Sequence, residues 1–486
     1  ITIVRSGSRI TRLRASTFGA TRGRAGSGRS ALPAEEIRRD RAEVLLPVLR
    51  GFLGKGERVI LHCDSSDRTL EAVAADGLRE RSRLGMATPD HVLRAGRLPL
   101  WLSIDFSGRR EEWIETAREQ LALQYKEYRE YHERHAKPGQ EPIPDWAKVL
   151  LVPGLGMVTA FTDKENALAA NLCYHAVLKT IENAECLDRF HFLSEQEVFE
   201  FEHWPLERRK VEEKIQREKR GQLLFGRIAL IIGAGSGIGE AAAIRFAEEG
   251  AHVIAADLDT ARAGEVARQI SERFPHRAIS AGVDVRDEAT ISSLVRNTVL
   301  EFGGLDCLFY SAGLAPGFSS LTELRRSDLQ TQLDVHYLGA MAAIREAARV
   351  MRRQQLGGSI ICSVSKAALA PGRQAAAYGG SKAALQHALR TAALELGPDG
   401  IRVNTINADQ VETPLFLRFA AARARSRGLS LEEQLEEYRK RNALGVSLIP
   451  PRAVAELAVL LASDKFRYTT GDILTIDGGL PDAFPR

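Results

Sequence analysis

Residues Arg227–Asp257 read RIALIIGAGSGIGEAAAIRFAEEGAHVIAAD, and no other stretch narrows the fold as much. Ile228–Ile232 is an apolar run short enough for a buried strand. Gly233, Gly237 and Gly239 follow, with Ser236 and Ile238 among them, and an alanine-rich helical pattern then runs to about Glu249. Gly250 ends it, and a second apolar run, His252–Ala256, stops at Asp257. Strand, turn, helix and strand of this length form a right-handed parallel crossover. At the helix start, free N–H groups and the helix dipole favour an anion. A Cβ on the glycines would block a dinucleotide pyrophosphate from the backbone. Asp257, closing the second strand, can accept hydrogen bonds from both adenosine ribose hydroxyls. Its charge would repel a 2′-phosphate, so the cofactor expected is NAD rather than NADP.

At 486 residues the chain is too long for one ordinary core. From Phe225 onward strand and helix patterns alternate to the end, which predicts a doubly wound parallel α/β sheet of about seven strands over 225–486. Residues 32–205 read as a smaller α/β domain, with an N-cap at Asp163 and a capping box at Ser194 and Glu197. Its stretch Ala87–Arg94 reads as a polar loop. Residues 206–224 include ERRKVEEKIQREKR, mixed charges at helical spacing, and read as a charged linker helix. Residues 1–31 are rich in Arg, Ser and Gly, with no acidic residue before Glu35. They fit either an organelle transit peptide or a truncated or wrongly started segment without a fold of its own.

No apolar run is long enough to span a bilayer, and a net charge of +4 does not suggest nucleic acid. Five scattered cysteines without metal-ligand spacing point to a reduced, cytoplasmic protein. His132 and His135 stand one helical turn apart, but no third ligand has a recognisable spacing. They read as solvated helix residues, and no metal is expected.

The chemistry sits further on. Tyr378 and Lys382 are four apart on a helical pattern and so share a face. Ser365 ends the preceding strand, on the same sheet edge as the glycine turn. Hydride transfer at a carbinol needs a base for the hydroxyl proton, and a free phenol of pKa ~10 is a poor one. A lysine ammonium one turn away favours the phenolate. The Ser365 hydroxyl can hold the substrate oxygen, and Lys382 can also reach the nicotinamide ribose. Thr413–Val446 is a charged helical insertion placed to fold over the crevice as a lid.

With these motifs together, Arg227–Leu480 resembles the short-chain dehydrogenase/reductase family. The matching segments are Gly233–Gly239, Asp284 after the third strand, Ser311-Ala312-Gly313 after the fourth, Ser365, the Tyr378/Lys382 pair, Ile401–Asn404, Thr470–Asp472 and Asp477–Gly479. The resemblance implies that Asp284, with Val285 beside it, contacts the adenine, that Ala312 and Gly313 flank the adenosine side, and that Val411 and Thr413 face the nicotinamide amide. The family's Thr before the first glycine is Ile232 here. Its Asn that holds a proton-relay water falls on His336, which would carry that water or donate a proton itself. Its Pro-Gly after the sixth strand is Ala408-Asp409. The alanine-rich helices around Arg326–Arg353 and Ala376–Leu396 would form a homodimer or homotetramer interface.

The chain as a whole is similar to bifunctional class II aldolase/short-chain dehydrogenases of the rhamnulose-1-phosphate aldolase/alcohol dehydrogenase type. Those aldolases bind zinc through a His-x-His pair, which this sequence lacks, and Pro153 stands where a His would be wanted. The front of the aldolase is therefore expected to be missing. The resulting expectation is an NAD-dependent dehydrogenase acting on a small hydroxyl or carbonyl compound of sugar or aldehyde metabolism. The alternatives are a bifunctional zinc-dependent sugar-phosphate aldolase/dehydrogenase and a non-catalytic NAD-binding protein.

Overall fold

The structure, a computed structural model, describes residues 32–483 except 56, 87, 145–146, 207, 211–212, 214–218, 220 and 316–318. The expectations for 1–31, and for much of the charged segment 206–224, lie outside the described residues.

Two sheets organise the chain. The smaller contains β1 (Ile60–Asp64), β2 (Leu100–Trp101), β3 (Val149–Val152) and β4 (Gly156–Phe161) in the order β1-β4-β3-β2. β4 pairs antiparallel with β1 and β3, and β2 runs parallel to β3. Asp163 caps the following helix, Lys164–Leu187, by accepting from the Asn166 N–H at 2.8 Å. Ser194 and Glu197 form the reciprocal box expected. Ala87–Arg94, expected as a loop, contains the start of a short helix, Pro89–Ala95. Thr88 is its N-cap and Pro89 needs no N–H in the first turn, a local signal strong enough to start a helix.

The larger sheet is wholly parallel. Its strands are β5 (Ile228–Ile232), β6 (His252–Asp257), β7 (Ala278–Gly282), β8 (Cys307–Tyr310), β9 (Gly358–Ser363), β10 (Ile401–Ala408) and β11 (Ile473–Ile476), ordered β11-β10-β9-β8-β5-β6-β7. β5 and β8 are entirely buried, so their near-continuous apolar sequences follow from helices covering both faces. The chain leaves β5 toward β7 and returns at β8. That reversal opens a crevice at the carboxyl ends of β5 and β8, where open α/β sheets take ligands.

The two units share one apolar core, running from Leu45, Leu49 and Leu61 to Val299, Phe302 and Met351. Helix Glu35–Leu53 lies against helices Glu288–Phe302 and Gly339–Gln354. The approach is close at Gly51, where a Cβ would stand 1.9 Å from the Gln354 carbonyl oxygen. Among the described residues, no helix is long and apolar enough to cross a membrane.

Candidate active site

The glycine turn after β5 takes the conformation that its composition demands. Gly233 and Gly237 have φ of +88° and +60°, and a Cβ on Gly239 would stand 1.9 Å from the Gly233 carbonyl oxygen. Ser236 is the N-cap position of helix Gly237–Glu248, and Ile238 lies in its first turn. Asp257, ending β6, accepts the Gly235 N–H at 2.8 Å and the Asp259 N–H at 2.9 Å. Its carboxylate thus stands beside the turn, where a ribose would meet it. From the other side, the Thr413 methyl packs on Gly237, 2.8 Å from where a Cβ would be. Gly233 abuts the Ala312 backbone in the same way, at 2.6 Å. Three segments distant in sequence therefore close around one backbone cradle that side chains would fill. Asp284 is held by a two-pronged contact with Arg286, which keeps its carboxyl near pH 2, and Val285 is buried beside it. Ser311 continues β8 by donating its N–H to the Ile232 carbonyl at 2.8 Å. Val411 is buried and bridges to Ile449.

The reacting groups lie at the same edge. Ser365 follows β9, and Tyr378 and Lys382 occupy the first turns of helix Ala376–Leu396. The Ser365 hydroxyl hydrogen-bonds the Tyr378 phenol. The Lys382 ammonium is 3.9 Å from where a Cβ on Gly313 would be and donates to the Ser363 carbonyl at 3.5 Å. It lies 5.9 Å from the Tyr378 ring centre. Burial sets both acidities: the phenol is pushed above its usual value, and the ammonium is pushed down to about 8. The lowering of the phenol expected from the four-residue spacing is absent in this arrangement. Desolvation outweighs the lysine, whose Nζ is drawn to the Ser363 carbonyl.

His336 is in contact with the site, edge-on to the Tyr378 ring. It sits in a single π-helical turn, Asp334–Leu338, that interrupts the helical pattern expected to run unbroken over Arg326–Arg353. Its ring is fully buried and meets the Tyr378 ring edge-on at 5.3 Å. The Leu314 N–H donates to Nε2 at 3.0 Å, so Nε2 carries no proton. Nδ1–H then donates to Ser381 Oγ at 3.0 Å, and that hydroxyl donates to the Tyr378 carbonyl at 2.8 Å. Both nitrogens are used, and burial pushes the imidazole pKa far down. The ring is a neutral brace between the loop after β8 and the helix of Tyr378. Sequence reasoning gave no hint of Leu314 or Ser381, because a backbone N–H and a lone serine carry no motif.

Asp409 follows β10 and pairs with Lys366, the residue after Ser365, at 3.8 Å, with both side chains 18% exposed. Burial pushes the Asp409 carboxyl up, and its charge acts on Tyr378. The segment expected to be a lid, Thr413–Val446, forms two helices packed on each other, Pro414–Ser426 and Leu431–Arg441.

In the smaller domain, His132 is buried, not solvated as expected. It packs on Phe199 and His203, with ring centres 5.5 and 5.4 Å away. Among the described residues, no group of three His, Cys, Asp or Glu converges as metal ligands would.

A family profile described as Enoyl-(Acyl carrier protein) reductase matches residues 233–481. Another, described as Aldolase class II, second domain, matches residues 40–211. The chain is 32% identical over 467 residues to an uncharacterized oxidoreductase, YuxG, of Bacillus subtilis (strain 168). That alignment covers 93% of this chain but 66% of the relative, so the chain spans just under two thirds of its length. Short-chain dehydrogenase reductase 3b of Arabidopsis thaliana is 34% identical over 262 residues, covering 53% of this chain and 97% of that protein. Among solved structures, sorbitol-6-phosphate 2-dehydrogenase SrlD from Erwinia amylovora superposes with a TM-score of 0.50 at 29% identity. It covers 52% of this chain and 98% of that one.

Proposed function

Because the chain belongs to the short-chain dehydrogenase/reductase family, whose fold implies an NAD(P) cofactor, we propose that it is an NAD-dependent oxidoreductase of a small polar hydroxyl or carbonyl compound of sugar or aldehyde metabolism. The observation that carries this reading is the meeting of Ser365, Tyr378 and Lys382 at the edge that also holds the glycine cradle. A pyrophosphate is supported by the bare backbone that Gly233, Gly237 and Gly239 leave in the turn, at the N-terminus of helix Gly237–Glu248. NAD over NADP is supported by the Asp257 carboxylate at the turn, where a 2′-phosphate would meet like charge.

When bound, the nicotinamide supplies the two-electron hydride acceptor or donor. The chain's own groups manage the proton. In alcohol oxidation the Tyr378 oxygen takes the hydroxyl proton as the carbinol C–H leaves as hydride, and the Ser365 hydroxyl holds the substrate oxygen. Lys382 brings a positive charge 5.9 Å from the Tyr378 ring centre. A polar substrate is supported by the Lys366–Asp409 pair beside Tyr378, a charged wall that an apolar alcohol would leave unsolvated. The Erwinia protein, a sorbitol-6-phosphate 2-dehydrogenase, points the same way.

A cytoplasmic homodimer or homotetramer completes the reading. Helix Gly339–Gln354 is covered by Glu35–Leu53, so helix Ala376–Leu396, with Leu394 81% exposed, is the face left for a second copy. A second reading, a sugar-phosphate aldolase as well as a dehydrogenase, rests on the class II aldolase match at 40–211. Zinc analysis together with a ketose 1-phosphate cleavage assay tests it. The principal test is a panel of polyols, hydroxyaldehydes and apolar alcohols with NAD and NADP, followed at the reduced-nicotinamide absorbance. Turnover of polar substrates with NAD is expected. NAD binding without turnover of any of them would leave only a non-catalytic binding protein.

A further inference from the structure

A cleft of about 720 Å³ opens where the two domains meet. Its walls come from the segment after helix Glu35–Leu53 and from residues just before β5 and β9, with Ser463–Lys465. In a parallel sheet this is the amino edge, on the far side from the glycine cradle.

The charge lining it is lopsided. Lys55, Arg58, Lys219, Arg227 and Lys465 face it, against Glu57 and Asp464, five cations to two anions. The existing pairs do not balance it. Arg58 shares Asp306 at 3.1 Å, but that carboxylate is already gripped by Arg50 at 2.6 Å. Arg227 reaches Asp464 at 2.7 Å, yet the Asp464 side chain is 78% exposed, so water screens the pair. Glu57 is taken by Lys219 at 2.9 Å. Lys55 and Lys465 have no carboxylate within ion-pair distance among the described residues, and both are exposed at the rim. Burial lowers the Arg58 guanidinium from its ordinary value even with Asp306 beside it.

We propose that this cleft binds a small phosphate-bearing anion with two or more negative charges, held between Arg58 and Arg227 at the base and Lys55 and Lys465 at the rim. A volume of this size suits a metabolite rather than a single ion. Arg58 Nη1 is on Asp306 at 3.1 Å and Nη2 on the Leu356 carbonyl at 2.6 Å, so the guanidiniums act on the anion through their charge, as the lysines do. Because the walls come from both domains, the ligand fastens the domain junction, and its binding registers as added stability. The site is independent of the dehydrogenase reading, since nothing in it touches the cradle.

Inorganic pyrophosphate is the probe, titrated calorimetrically into the full chain with NAD present in excess to fill the cradle. Potassium chloride at matched ionic strength serves as the control. One pyrophosphate per chain is expected, with a higher melting temperature that chloride does not reproduce. K55E/K465E should weaken binding at least tenfold while leaving NAD affinity unchanged. K55Q/K465Q, which only removes charge, should give a smaller loss in the same direction. No binding beyond chloride, abolition by NAD, or equal affinity in the charge variants would each overturn the proposal.

Discussion

Arg50 crosses the domain junction and grips Asp306 with both prongs, Nη2 to Oδ2 at 2.6 Å and Nη1 to Oδ1 at 3.0 Å, and neither side chain is exposed. Asp306 also accepts the Ile228 N–H at 2.8 Å, so one carboxylate joins the first domain to the start of β5. Charges so placed are poorly hydrated, and their partners must remain in place.

Breaking that pair is therefore costly. R50A should lower the unfolding free energy by about 3–5 kcal/mol in denaturant titration, the range for stranding one buried charge. The guanidiniums hold the Asp306 carboxyl below its usual range. A depressed folded value means that its stabilisation is full above the unfolded carboxyl pKa of about 3.9 and is lost as pH falls below it. The wild-type melting temperature should drop steeply below pH 4, and D306N should flatten that drop.

Lys382 carries the opposite sign. Its folded value of about 8 lies below the ordinary 10.5, so the charged form is disfavoured in the folded protein. That penalty is complete below pH 8 and fades as pH rises through 10.5. K382M should thus melt higher than wild type at pH 7, by roughly 1–3 kcal/mol of stability, and this advantage should shrink as pH rises from 8 and vanish only above 10.5. Its turnover should fall in parallel.

Tyr378→Phe removes the proton acceptor, and kcat/KM for oxidation should fall by about 10²–10⁴-fold. Because burial pushes this phenol up, the base form grows toward alkaline pH. In the wild type, oxidation should quicken and reduction slow as pH rises from 7 to 10. A flat profile in both directions would count against Tyr378 as the base.

His336 makes a finer test. H336A leaves the Leu314 N–H and the Ser381 hydroxyl without their partner, at a cost of about 1–3 kcal/mol. H336N can accept from one and donate to the other, so it should recover most of the activity that H336A loses. Since the ring stays neutral, the pH profile should show no step near 6.5 that His336 substitution removes.

In the glycine turn, G239A would drive a Cβ into the Gly233 carbonyl oxygen. The loop must shift by about an ångström, and turnover should fall roughly 100-fold, with weaker quenching of protein fluorescence by NADH.

What local patterning determined is considerable. The apolar run Ile228–Ile232, the three glycines and Asp257 specify strand, turn and crossover because each acts within a few residues of itself. Tyr378 and Lys382 share a face by helical spacing alone, and Ser194 with Glu197 announces a helix start. Tertiary structure decided everything that depends on which distant atoms meet. His336 lies in a π-helical turn, and its ring braces Leu314 against Ser381, contacts that no motif announces. His132, plausible as a surface histidine, is enclosed by a helix some seventy residues on. The ion pair of Lys366 with Asp409 and the closure of Arg50 on Asp306 join residues 43 and 256 positions apart. Periodicity carries no information over such separations: it says which face of an element is apolar, not which element that face will find. Desolvation follows the same division, since a side chain's pKa is set by the atoms packed around it once the chain has closed.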